Sequence, residues 1–339
     1  MSNSSHPIAY SDLVFLSLYF AEGSVLLTTN GLLVSIIVYH EALRQRKQFI
    51  LIGALAFADA LQTGLANVAA AIHRIPLVLQ NIHREPEDRF SCLLKIYNSV
   101  WIFSQTCSAV MMLAVSVDRY LAVRIPLAYL KLDKTYALII TGLAYGFSFI
   151  ELCVVSLHVY QKNGLDATKI CFTAQAMLPF DYRLHYNQNI LLSILSIIVC
   201  LFFIGRVEKM AVQRNMADSS QVQAQLAWEK RLTRSVGLSC LCTLIFYAIP
   251  TILTNILSYF PELYIKIVGF VWLICCINPM CNLVIYAKKQ ADIQKGLMAM
   301  VACKKMPPDL DAWHANQRAQ KSLKKQPRKG QVAPEQPEQ

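Results

Sequence analysis

Asp59 and the pair Asp118-Arg119 are the residues of this chain best placed to do chemistry, because each meets a long apolar run. Residues 96–117 carry no charge, about the length that crosses a bilayer as a helix, and Asp118-Arg119-Tyr120 follow at once. An acid and a base set there are costly unless they pair or face water, and a pair that can open is a switch. Asp59 stands near the middle of its own run with no neighbouring charge. A carboxylate at that depth takes a proton, binds a cation or gathers hydrogen-bond donors. Glu22 and Glu151 also fall within apolar runs, and the depth of Glu22, headgroup level or mid-membrane, stays open. Further on, Asn278, Asn282 and Tyr286 recur every four residues and so share one helix face. His-Glu-x-x-His and Gly-x-Ser-x-Gly are absent, and no Cys/His group has metal-ligand spacing. The chain does not read as an enzyme.

The elements that must position these residues are membrane helices. The chain is 55% hydrophobic and 16% charged, where a soluble domain carries roughly 25% charge. Seven apolar runs stand near 13–39, 49–72, 93–117, 136–159, 190–204, 236–259 and 263–287. The fifth is short, and 184–206 covers it if its polar start lies at the interface. The fold class is therefore all-α, a seven-helix bundle integral to the membrane. Residues 1–12 precede it as an extracellular segment, the first helix serving as an uncleaved signal anchor. After it, 288–303 form an amphipathic helix with Ile293, Leu297 and Met300 on one stripe, lying on the inner leaflet. A polar, disordered tail, 304–339, completes the chain.

The net charge of +11 could point to nucleic acid, but its distribution does not. With the N-terminus outside, 24 of the 32 Lys and Arg fall on the cytoplasmic side, which is +13 overall against a neutral exterior. That bias is the positive-inside pattern, and it places the lipid bilayer, not a polynucleotide, as the partner. Asn3 is the only glycosylation acceptor pattern outside, with an unused tripeptide as the rival reading. Cys303 is a candidate for palmitoylation or an idle cysteine.

Several short motifs now fall in order along the chain. Asn30-Gly31-Leu32-Leu33-Val34 lies in the first run and Leu55-Ala56-Phe57-Ala58-Asp59 in the second. Asp118-Arg119-Tyr120-Leu121-Ala122-Val123 leads into Pro126-Leu127-Ala128-Tyr129, with proline ending the helix. Pro250 makes a hinge in the sixth run, and Asn282 to Tyr286 closes the seventh. Together these resemble the rhodopsin-like (class A) G-protein-coupled receptors. Departures are plain. Tyr145 stands where a tryptophan is usual, the fifth run lacks proline, Ala248 replaces the tryptophan switch, and Pro279 comes four residues early. In helices four to seven the chain is similar to nematode serpentine chemoreceptors of class sx type.

The resemblance implies a receptor that binds an extracellular ligand and activates a heterotrimeric G protein through Asp118, Arg119, Tyr120 and Tyr286. Pro250, Tyr247 and Asn282 would form the activation hinge. Cys92 and Cys171 would form the family's disulfide, against two free thiols as the alternative. Cys92 lies two residues farther from Asp118 than usual, so the helix top should be irregular. Asp59, Ser108, Asn278 and Asn282 match the residues that hold a sodium ion, with a protonated Asp59 bonded to the asparagines as the rival. Trp101, Gln105, Glu151, Tyr247, Asn255 and Trp272 would line the ligand pocket. Trp101 in place of an aspartate disfavours an amine; a small odorant-like molecule and a short peptide both stay open. Glu229 and Lys230 stand where relatives place an acid that restrains Arg119. A light sensor is excluded because Cys276 occupies the position of the retinal lysine. A transporter or a non-signalling seven-helix protein is the alternative, though no internal repeat is visible. The charge bias gives the first expected outcome. An epitope on the C-terminal tail should stain only in permeabilised cells, and staining of intact cells would overturn the topology.

Overall fold

The computed structural model describes residues 8–82, 84–125, 128–129, 131–213, 235–257, 260–289 and 291–304. Asn3, Pro126, Glu229, Lys230 and the tail from 305 lie outside the described residues. Seven helices among the described residues are long and apolar enough to span a bilayer: Leu13–Tyr39, Lys47–Leu79, Ile96–Arg124, Lys134–Gln161, Pro179–Phe202, Ser235–Leu257 and Ile267–Tyr286. Inside a bilayer every backbone N–H and C=O must be satisfied within the segment, which dictates helix for runs of this composition. The fourth span turns Leu143, Phe149 and Ile150 outward, each more than half exposed, as a lipid-facing side requires.

Two spans are not regular. A π-helical turn, Ala60–Leu65, begins directly after Asp59, and another, Leu244–Ala248, ends two residues before Pro250. A π turn inserts one residue and loosens the backbone ladder, and Pro250 cannot donate to the Phe246 carbonyl. The first π turn contains Gly64, where a Cβ would come within 2.9 Å of the Leu27 backbone. Absence of a side chain there lets the first two spans touch.

The fifth helix runs Pro179–Gln213, starting well before its apolar run. The expected start of the span near 184 moves back to Pro179. Asp181, His185, Asn189 and Ser193 recur at every fourth position and all are buried. Their face turns into the bundle, which explains why hydropathy alone cut the helix short.

The third span is irregular at its top, as the Cys92–Asp118 spacing requires. A short helix, Arg89–Leu94, is capped by Asp88, which accepts from Ser91 N at 2.7 Å. Lys95 then breaks the chain direction before Ile96–Arg124. Cys92, on the short helix, is bonded to Cys171, with Cα atoms 5.4 Å apart. Beside them strand β1, Pro86–Glu87, pairs antiparallel with β2, Ala167–Thr168, a two-stranded addition to the helical fold. At the opposite end of the bundle the terminal helix, Ala291–Val301, docks on the first span. His40 Nε2 lies 2.8 Å from Gly296 O, and Ile293 is buried among Leu33, Ile36 and Tyr286. The stripe expected to face lipid thus packs partly on the bundle, while Met298 and Val301 are exposed.

Candidate functional site

The bundle encloses a cavity of about 860 Å³ that extends from Asp59 and Ser108 to Ile170 and Phe172, beside the disulfide. It lies within the range of small-molecule sites. Trp101, Gln105, Tyr247 and Trp272 line it, as the sequence reading anticipated. Trp101, Tyr186 and Trp272 form an aromatic wall with ring centroids 5.9–6.1 Å apart. Glu151 and Asn255 do not line the cavity, which corrects two expected positions. Asn255 donates to its own helix at Thr251 O, 3.1 Å away. Glu151 stands behind the wall, its Oε1 2.7 Å from His185 Nδ1 and its Oε2 accepting from Gln188 at 3.1 Å. His185 Nε2 lies 2.9 Å from Gln105 Oε1, and Gln105 Nε2 donates to Tyr247 Oη at 3.0 Å. Helices four, five, three and six are therefore joined by one buried polar chain that ends on the second π turn.

Asp59 sits at the floor of the cavity, fully buried. Ser108 Oγ donates to its Oδ1 at 2.6 Å and Asn282 Nδ2 to its Oδ2 at 3.3 Å. Asn278 is on the same wall but accepts from Thr243 Oγ1 of the sixth span at 3.1 Å. Asn282 Oδ1 accepts from Ser239, also of the sixth span. Three of the four expected groups thus meet, and the fourth faces a hydroxyl instead. Glu22 is half-buried and turned toward Cys276 of the seventh span.

At the far end Asp118 and Arg119 are 1% and 2% exposed. Arg119 Nε donates to Asp118 Oδ2 at 2.9 Å, and its Nη2 donates to the same oxygen. Nη2 also donates to Tyr129 Oη at 2.5 Å, while that hydroxyl lies 3.1 Å from both Asp118 oxygens. Tyr129 is held in turn by Lys47, whose Nζ donates to Tyr129 O at 2.5 Å and Leu132 O at 2.9 Å. The same ammonium lies 3.5 Å from the Tyr129 ring centroid. Tyr120 is only partly buried, against the cluster of Leu51, Met111 and Val115. Tyr286 is buried with Phe49 and Ile52. Cys303 is exposed two residues past the helix Ala291–Val301.

Three side chains of the site were not singled out from sequence. Tyr129 enters the sequence only as the last letter of Pro126-Leu127-Ala128-Tyr129, and neither His185 nor Arg74 stands out there; the four-residue polar period of Asp181, His185, Asn189 and Ser193 is the signal that could have found His185. Arg74 lines the cavity.

Comparison with known proteins agrees with this geometry. Residues 29–286 match the family of seven-transmembrane receptors described as the rhodopsin family. G-protein coupled receptor 3 of Homo sapiens is 26% identical over 295 residues, 82% of this chain and 79% of its own. Cannabinoid receptor 2 of Homo sapiens is 25% identical over 274 residues, 78% and 71% of the two chains. Adenosine receptor A2b of Bos taurus is 24% identical over 313 residues, 85% and 89%.

The Tyr129 hydroxyl serves both members of a buried charged pair. Removing it leaves polar atoms short of a partner, at about 1–3 kcal/mol. Purified Tyr129→Phe should therefore melt several degrees below wild type in a thermal unfolding assay. An unchanged melting temperature would show that the hydroxyl contributes nothing there.

Proposed function

Because this chain belongs to the rhodopsin family of seven-transmembrane receptors, we propose that its cavity takes an extracellular ligand and that a heterotrimeric G protein reads the result at Arg119. The observation that carries this reading is the polar chain from the cavity wall to the hinge. Gln105 and Tyr247 both line the cavity, and Tyr247 belongs to the π turn just before Pro250. A ligand that displaces the Gln105–Tyr247 bond acts directly on the weakest backbone of the sixth span. Ser239, Thr243 and Tyr247 hold that span to the third and seventh, so their release lets its far half move outward. Arg119 then has room to leave Asp118 and Tyr129 and meet the G protein. The disulfide end of the cavity faces outside and the Arg119 end of the bundle faces the cytoplasm, consistent with the positive-inside charge bias. Cannabinoid and adenosine, in the names of two relatives, are unrelated chemistries, so the names leave a small molecule and a short peptide both open. In a G-protein reporter cell line, Arg119→Ala should abolish basal and extract-evoked signal while surface staining stays within about twofold. Unchanged signalling would remove Arg119 from the mechanism.

The cation implied at Asp59 fits the residues present. Two carboxylate oxygens, the Ser108 hydroxyl and a nearby asparagine amide are the hard oxygen donors that sodium takes. Asp59 and Ser108 would hold the ion, Asn278 joining by turning from Thr243. An ion there would tie the second, third and seventh spans together and favour the closed state. A ligand selective for the folded state stabilises it by about 1.4 kcal/mol at tenfold its Kd. Purified wild type should then melt higher in sodium chloride than in an equal concentration of N-methylglucamine chloride, and Asp59→Asn should lose the difference. Equal melting of the wild type in both salts would remove the ion.

A further inference from the structure

We propose that the cavity takes an organic anion, with an apolar body along the aromatic wall and a carboxylate or phosphate-type head at Arg74. This rests on the receptor reading of the same cavity and adds the class of ligand to it. Among the described residues lining the cavity only Asp59 and Arg74 are charged, and they differ in readiness. Both Asp59 oxygens already accept hydrogen bonds, from Ser108 and Asn282. Arg74 Nε donates to Ile170 O at 2.8 Å and Nη2 to Cys171 O at 2.6 Å. Those bonds and one to the Tyr97 hydroxyl use three of the five guanidinium N–H groups, and the other two have no acceptor among the described residues. An oxyanion can take both at once, the paired geometry in which a guanidinium exceeds an ammonium.

The cation is also held in place before any ligand arrives. Its two carbonyl acceptors belong to the segment that the Cys92–Cys171 bond ties to the third span. The guanidinium carbon lies 4.9 Å from the Tyr97 ring centroid and 5.0 Å from that of Phe172. Such pre-ordering reduces what binding would lose in side-chain freedom. Arg74 and Asp59 stand fifteen residues apart on one helix, roughly 22 Å at the usual rise. The head therefore binds at the disulfide end of the cavity, and an apolar body extends past Trp101, Tyr186 and Trp272 toward Met112. A cationic ligand would meet the Arg74 charge in the same cavity, and the ion proposed at Asp59 would already neutralise that carboxylate.

The test uses the full chain in zwitterionic nanodiscs and four probes of one chain length: oleate, oleoyl lysophosphatidate, oleyl alcohol and oleylamine. Thermal stabilisation is titrated for each. The expected result is half-effect at a concentration at least tenfold lower for an anion than for the alcohol, with no gain from the amine. Oleate against lysophosphatidate decides between carboxylate and phosphate heads. R74Q should erase the preference and R74K should keep part of it. If R74Q does not fold, the comparison of anion with alcohol in wild type and R74K decides alone. Equal action of anion and alcohol, or a preference that survives in R74Q, overturns the proposal. A reporter signal evoked by extracts without any anion preference would sink this inference and leave the receptor reading standing. Anion preference without G-protein signal from any ligand would do the reverse.

Discussion

A guanidinium and a carboxylate sealed from solvent at one end of the bundle set the terms for the rest of the molecule. Taking each ion out of water costs several kcal/mol, and their attraction offsets that only if the remaining donors and acceptors are met. Asp118 and Arg119 meet them by recruiting Tyr129, a residue beyond the helix that carries the pair. Tyr129 can serve only if its loop is fixed, and Lys47 at the start of the second span fixes it through two carbonyls. The ion pair therefore dictates where the loop after the third span lies, and through Lys47 how the second span begins. The four side chains therefore form one connected cluster and not isolated bonds.

The same demand for satisfied polar groups shapes the middle of the bundle. Ser239, Thr243, Tyr247 and Thr251 recur every four residues along the sixth span and all are buried. All four bond across to the third or seventh span, at Asn282, Asn278, Gln105 and Cys275. Side-chain bonds are thus densest where the backbone ladder is poorest, around the π turn and Pro250. The span is held in position by contacts that a ligand or an ion can exchange for its own. Asp59 enters this through Asn282, so an event at the cavity floor reaches the sixth span through one further side chain.

Much of this was legible in the residues. Run length located the seven spans, because lipid leaves helix as the only solution, and the four-residue spacing of Asn278, Asn282 and Tyr286 put them on one face. Asp59, Ser108 and Asn282 meet, as the family resemblance implied. What failed did so for physical reasons. Apolarity marks lipid contact, so it missed the first turns of the fifth span, where a buried polar stripe looks like an interface. Helix rotation is not readable to the nearest residue, which is how Glu151 and Asn255 were placed in the cavity. A π turn has no sequence signature that separates it from α-helix. Tyr129 was visible as a letter, but its partners lie across a turn whose path sequence spacing does not describe.

The departures from the family pattern fit together once their positions are known. Tyr145, standing where a tryptophan is usual, donates to Ala54 O at 2.8 Å, stacks on Phe57 and meets Phe103 edge-on, so the contact among helices two, three and four survives with a smaller ring. Ala248 is buried and leaves its neighbour Tyr247 as the aromatic group that faces the cavity. Pro279, four residues earlier than the motif has it, removes the backbone bond to the Cys275 carbonyl. Cys275 and Pro279 both line the cavity, so the weak point of the seventh span opens into the cavity itself instead of beneath it. The sixth span does the same through its π turn at Tyr247. Bulk that other members place between ligand and hinge is absent here, and the two flexible points instead form part of the cavity wall. The proposed ligand would touch both points directly, so its shape would act on the helices without an intervening switch residue.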